Sequence, residues 1–179
     1  MIEVEAKSIK VDSGTGRWTI TGVVEEEQFG ARDRRLTRKS MAKGALETVF
    51  TVLRARYGIN LYNYDIHINF PGGVPVDGPS AGVSMAAAIY SSINNIPVDN
   101  LTAMTGELSV HGTVKPVGGV ISKIEAARKA GIQRVLIPAD NWLKIFDSYS
   151  EISIFPIQDI EQVLNHALNS RVPGAAKAL

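Results

Sequence analysis

The sequence predicts a mixed α/β domain of the α+β type, with helices packed on sheet. Three observations predict it. Strand-like patterns cluster before residue 30, helical and strand patterns then interleave to the C-terminus, and no repeat or linker interrupts them. The chain has 179 residues, so it is read as one domain over 1–179. A domain of that size buries roughly 70% of its unfolded-chain surface and needs no staples. None are available, because the sequence has no cysteine. That excludes disulfides, thiolate zinc sites and a cysteine nucleophile.

The elements follow in order. Within residues 2–29, "SIKV" alternates and "GRWTITGVV" is rich in β-branched and aromatic residues, so both read as strands around a "DSGTG" turn. "EEEQFGARDRR" is a charged connection. In "TRKSMAKGALETVFTVLRARYG", Ala42, Ala45, Leu46, Val49, Phe50 and Leu53 recur at helical spacing, and Gly58 is the stop. "YDIHINF" is a strand, a loop covers 71–79, and an Ala-rich helix runs to about Asn94. "LTAMTGELSVHGTVKPVGG" reads as two strands around His111 and Gly112, and "VISKIEAARKAG" as a helix ending at Gly131. "RVLIP" is a buried strand, "DNWLKIFDSY" a helix, "ISIFP" a strand and "IQDIEQVLNHAL" a last helix. The tail, about 172–179, is expected to be disordered.

Several functions are excluded early. The net charge is +1, which argues against nucleic-acid binding. No apolar run approaches the roughly 20 residues of a membrane span, and "MIEVEAKSIK" lacks a signal-peptide core, so a cytoplasmic protein is expected. No "GK" dipeptide exists, hence no Walker A loop. "SGTGRW" lacks the third glycine of a dinucleotide fingerprint. His67, His111 and His166 are scattered, and no metal site is predicted. The basic cluster Arg32, Arg34, Arg35, Arg38, Lys39 and Lys43 follows Glu25 to Glu27 and reads as solvated or interfacial surface.

Two residues carry chemical interest. Ser80 follows Asp77, Gly78 and Pro79 at the mouth of a helix. It has three readings: an N-cap worth roughly 1 kcal/mol, part of a phosphate cradle, or a nucleophile that needs a base. Lys123 lies on the apolar stripe of Val120, Ile124 and Ala127, at i+3 from Val120. One reading is snorkelling, with the stem buried and the ammonium in water. The other is a desolvated lysine whose pKa falls from about 10.4, so that the neutral amine can take a proton from a serine. Ser–Lys pairs are a variant of the triad arrangement.

"DGPSAG" at 77–82, "TGELSVHGTVKPVGG" at 105–119 and "SKIEAARKAGIQRVLIP" at 122–138 resemble the proteolytic domain of Lon proteases, over most of the chain. The resemblance implies a compact α/β fold similar to the second domain of ribosomal protein S5. It implies a serine endopeptidase with a Ser–Lys dyad, matching Ser80 and Lys123. Thr105 matches the threonine expected to hydrogen-bond the lysine amine, and Asp77 the loop aspartate near the serine. The backbone N–H groups around Gly78 and Ser80 are the expected oxyanion site. Family members usually carry an AAA+ ATPase module, to which ATP and magnesium belong. These 179 residues contain none, which implies either an excised protease domain or a standalone relative. No cofactor is expected in this chain. The implied partners are unfolded or misfolded proteins, the ATPase module and further copies of the chain in a hexameric ring. "DGPSAG" looks like the bacterial pattern, whereas archaeal members tend to have an acidic residue where this sequence has Pro79. "YDIHINFPGG" and "AAIYSSINNIPVDN" are similar to the branch with a membrane-associated ATPase, often called LonB. Two alternatives are a small-molecule kinase of the related GHMP type, for which "VDGPSAGVS" is a poor phosphate loop, and a non-catalytic Lon-like binding domain.

Overall fold

The structure is a computed structural model that describes residues 1–22, 28–29, 36–37, 41–72 and 78–169. Strands β1 (Glu5–Lys10) and β2 (Trp18–Thr21) flank a turn closed by the Thr15 N–H on the Asp12 carbonyl at 3.1 Å. β3 (Gln28–Phe29) and β4 (Leu36–Thr37) pair with each other, antiparallel. Arg32, Arg34, Arg35, Arg38 and Lys39 of the basic cluster, the first residues of the expected first helix and the C-terminal tail lie outside the described residues.

Helix α1 (Met41–Tyr57) buries Leu46, Val49 and Leu53 of the expected stripe and ends at Gly58. β5 (Tyr64–Asn69) alternates as a half-buried strand must: Ile66 and Ile68 point inward, Asp65 and His67 outward. It is the centre of a sheet of order β1-β5-β2, antiparallel to β1 and parallel to β2. Helix α2 (Gly82–Asn94) buries Val83, Met85, Ala86, Ala87, Ile89 and Tyr90, while Ser84, Ala88 and Ser91 form a narrower half-buried stripe. So wide an apolar face seats the helix against several elements at once. It packs on β1, α1 and a later helix, α4 (Ile160–Ala167).

The second half builds another sheet. β6 (Thr102–Met104), β9 (Arg134–Pro138) and β10 (Ser153–Ile157) run parallel in the order β10-β9-β6. α3 (Val120–Lys129) lies between β6 and β9 in the chain, as a parallel connection requires. Leu136 of β9 enters a large core shared with α1, α2 and α4, while Val135 and Ile137 enter a smaller core shared with α3. The sheet therefore separates two cores. α4 (Ile160–Ala167) closes the large one and is capped by Asp159, whose carboxylate accepts the Gln162 N–H at 2.9 Å. Among the described residues no helix is long and apolar enough to cross a membrane.

Two expectations are corrected. The segment around His111 holds three short strands: β6 joins the parallel sheet, and only β7 (Glu107–Leu108) and β8 (Val114–Lys115) form the hairpin. Thr105 and Gly106 break the run, because their backbones bond elsewhere. "DNWLKIFDSY" is not a helix but two 3₁₀ turns, Ala139–Asn141 and Lys144–Ser148, with Trp142 and Leu143 extended between them. The i, i+4 spacing of Trp142 and Phe146 mimics a helical face. It serves instead an aromatic run, Trp142 on Phe146 at 5.6 Å and Phe146 on Tyr149 at 6.1 Å, that covers the smaller core.

Leu136 is fully buried between parallel neighbours. Leu136→Ala is expected to lower stability by about 2–5 kcal/mol in denaturant titration. A loss below about 1 kcal/mol would show that the site collapses around the smaller side chain.

Candidate active site

The loop before α2 ends in a single 3₁₀ turn, Pro79–Ala81, with Pro79 in its first turn, where a fixed φ suits helix entry. Gly78 precedes it at φ 130° and ψ 156°, a region essentially closed to residues with a side chain. Nothing lies within 4 Å of where its Cβ would stand, so the demand for glycine is conformational and not steric. Ser80 sits inside the turn, half-buried, at the positive end of α2. The capping reading fails here. The cap positions are Gly78 and Ala81, and neither makes a side-chain capping bond. Asp77 lies outside the described residues.

The segment between β6 and β7 is bonded to this turn. The Gly106 N–H donates to the Ser80 carbonyl at 2.9 Å, and the Val83 N–H donates to the Gly106 carbonyl at 3.3 Å. A Cβ at Gly106 would stand 2.6 Å from Cγ1 of Val114 and 3.2 Å from Cγ1 of Val83. Glycine is what allows the two segments to approach. The residue before it, Thr105, is only 6% exposed. Its N–H donates to the Leu136 carbonyl of β9 at 3.1 Å, so the parallel sheet holds its backbone. Sequence reasoning gave Gly106 no role. No local signal marked it, because the side chains that crowd it, Val114 and Val83, are brought there by the fold.

Lys123 reaches this point from α3. Val120, Ile124 and Ala127 are the buried residues of that helix, as its stripe predicts, and Lys123 stands half-buried beside them. Its Nζ donates to Thr105 Oγ1 at 3.1 Å, and Thr105 Oγ1 in turn lies 3.4 Å from the Ser80 carbonyl, to which it donates. The amine is thus turned inward, against a buried hydroxyl, and not extended along the surface. Burial pulls its pKa below the ordinary lysine value, and among the described residues no charged neighbour contributes. A lowered pKa enlarges the neutral fraction at any pH below it, which is what proton abstraction requires.

The structure therefore brings Lys123, Thr105 and the Ser80 backbone into one hydrogen-bonded path. Among the described residues no hydrogen bond joins Ser80 Oγ to Lys123 Nζ directly. The histidines lie on other contacts. His67 Nε2 meets Thr21 Oγ1 at 2.9 Å, the His111 carbonyl accepts from Arg56 at 2.7 Å, and His166 stacks on Phe155 at 4.8 Å. Among the described residues no His, Asp and Glu cluster could hold a metal ion.

A family model described as the Lon protease (S16) C-terminal proteolytic domain matches residues 2–170. Lon protease 2 of Bacillus subtilis (strain 168) is 48% identical over 168 residues, which cover 94% of this chain and 30% of that protein. The archaeal Lon protease of Thermoplasma acidophilum is 43% identical over 172 residues, 88% of this chain and 26% of that protein. The Lon protease of Brevibacillus choshinensis is 33% identical, over 94% of this chain and 21% of its own length. The chain spans less than a third of each of these relatives.

Two outcomes are expected from the site geometry. In a ¹³Cε-lysine NMR titration, the Lys123 signal, assigned with Lys123→Arg, moves at lower pH than free lysine. Titration near 10.4 would mean a solvated amine. Gly78→Ala is expected to cost about 1–3 kcal/mol in thermal or chemical unfolding, because alanine cannot relax at that φ.

Proposed function

The chain belongs to the family of Lon protease C-terminal proteolytic domains, and from that membership we propose that it is a serine peptidase in which Ser80 is the nucleophile and Lys123 the general base. The observation that carries the pairing is the hydrogen bond from Lys123 Nζ to Thr105 Oγ1, on a threonine that also bonds the Ser80 carbonyl. It supplies the third-group role of a triad: a buried hydroxyl orients the amine next to the nucleophile's own backbone.

The reaction is acyl transfer. Neutral Lys123 takes the Ser80 proton as Oγ attacks the scissile carbonyl. The resulting ammonium gives its proton to the leaving amine, and a water activated in the same way releases the acyl-enzyme. The amine held by Thr105 engages Ser80 Oγ when substrate fills the loop, since catalytic hydrogen bonds often tighten only in the complex. The oxyanion is taken by backbone N–H groups around Gly78 and Ser80, at the positive end of α2.

The natural substrates are unfolded or damaged protein segments bound as an extended strand beside that loop. Cleavage is coupled to an AAA+ ATPase module, and the working form is a hexameric ring in the cytoplasm. The bacterial branch and the likeness to the second domain of ribosomal protein S5 are parts of the same reading.

The test is hydrolysis of fluorescently labelled casein across pH 6 to 10. Ser80→Ala is expected to abolish cleavage, and Lys123→Ala to lower it by roughly 10²–10⁴-fold, the ordinary worth of a general base. The wild-type rate rises with pH through a pKa below the ordinary lysine value, because the active form is the neutral amine. Cleavage that survives Ser80→Ala would overturn the assignment.

A further inference from the structure

The Asn141 side chain makes two reciprocal hydrogen bonds to one residue. The Val117 N–H donates to Asn141 Oδ1 at 2.8 Å, and Asn141 Nδ2 donates to the Val117 carbonyl at 3.1 Å. This is the pattern a neighbouring strand would make, supplied by a single amide. Val117 is the last residue before Gly118 and Gly119, and α3 begins immediately after them. A Cβ at either glycine would meet nothing within 4 Å, so packing does not hold this hinge. Gly119 takes φ 68°, and its carbonyl accepts the Lys123 N–H at 3.0 Å. A pair of glycines is the least restrained link a chain can have. The segment leading to Lys123 is therefore held on its near side by Val117, and Val117 is held by Asn141.

The other half of the geometry shares the same support. Asn141 ends the turn directly after β9 (Arg134–Pro138), and the Leu136 carbonyl of β9 holds the Thr105 N–H. Thr105 and the root of α3 thus hang from neighbouring points on one strand and its extension.

We propose that Asn141 is a positioning residue for Lys123: its amide fixes the loop from which α3 departs and so sets where the lysine amine stands relative to Thr105. The proposal deepens the peptidase reading and rests on it for its functional meaning. The Asn141 side chain bonds the Val117 backbone and not Ser80, Thr105 or Lys123. Val120 and Ile124 keep α3 docked on the smaller core, and without the two Asn141 bonds the glycine hinge lets its first turn shift on that core so that water reaches Nζ. Among the described residues the group facing that amine is the Thr105 hydroxyl, and burial lowers the amine's basicity.

The experiment measures the Lys123 titration by ¹³Cε-lysine NMR, without substrate, in the wild-type chain, Asn141→Ala and Asn141→Leu. The leucine keeps the branched outline of the side chain and loses both hydrogen bonds. Val163→Ala, in the large core on α4, serves as a purely structural control. In both Asn141 variants the Lys123 titration is expected to rise by about one pH unit, a roughly tenfold loss of neutral amine at fixed pH. Val163→Ala lowers the melting temperature and leaves the titration in place. In cleavage assays the Asn141 variants lose kcat, keep KM within about twofold and recover at alkaline pH, as expected when only the fraction of neutral base has changed. An unchanged Lys123 titration in both variants overturns the proposal, as does an equal rise in Val163→Ala or a wild-type Lys123 that titrates like free lysine. Asn141→Ser is read by the same criteria if the first two variants melt too early. Cleavage that survives Ser80→Ala overturns the peptidase reading alone, because the titration needs no turnover.

Discussion

Strand β9 has no solvent face, and the rest of the molecule is arranged around that fact. From Val135 to Pro138 every residue is buried. Leu136 fills one core and its two neighbours the other, so the strand must be covered by helices on both sides. Each of these side chains, fully buried, contributes on the order of 1.5–3 kcal/mol of transfer free energy. That anchorage makes the strand a rigid reference. Its backbone carbonyl at Leu136 fixes Thr105, and its hydrogen-bonded neighbours β6 and β10 fix the edges of the sheet.

The chemistry of the site follows from where the polar groups meet this apolar frame. A lysine amine is costly to bury unless something accepts its N–H bonds. Thr105 does so with one hydroxyl that faces two ways, accepting from Nζ and donating to the Ser80 carbonyl. The hydroxyl hydrogen is thereby committed to the carbonyl, which leaves its oxygen lone pairs for the amine. A neutral amine and a charged one are both tolerated by such an acceptor, whereas a carboxylate in the same place would hold the proton on the lysine.

The frame was largely legible in the sequence. "YDIHINF" alternates, "RVLIP" is a continuous apolar run, and the stripe of Val120, Ile124 and Ala127 correctly fixed the inward face of α3. Lys123 stood out because it broke the polarity of that stripe, a signal contained in one helix. Ser80 was legible as a position and not as a function, since a cap, a cradle and a nucleophile all favour serine at a helix mouth. Gly106 and Asn141 were not legible. Gly106 is needed for an approach by Val114 and Val83, which lie at a distance in the chain, and Asn141 bonds a residue 24 positions away. The supposed helix over "DNWLKIFDSY" failed for a related reason: Trp142 and Phe146 repeat at helical spacing, but the core that receives them belongs to α3 and β9. Periodicity reports which side chains are buried, and only the tertiary contacts decide the backbone that delivers them.

The division into two cores has a kinetic side. The Ser80 turn is tied through Val83 and Ala81 to the large core, whereas α3 rests on the smaller one. Local opening free energy scales with the apolar contacts an element must give up. Amide protons of α3 should therefore exchange with solvent sooner than those of α2, through fluctuations that leave the serine side intact. The two halves of the candidate site then have different lifetimes, one lasting as long as the global fold and the other only as long as a single helix stays docked.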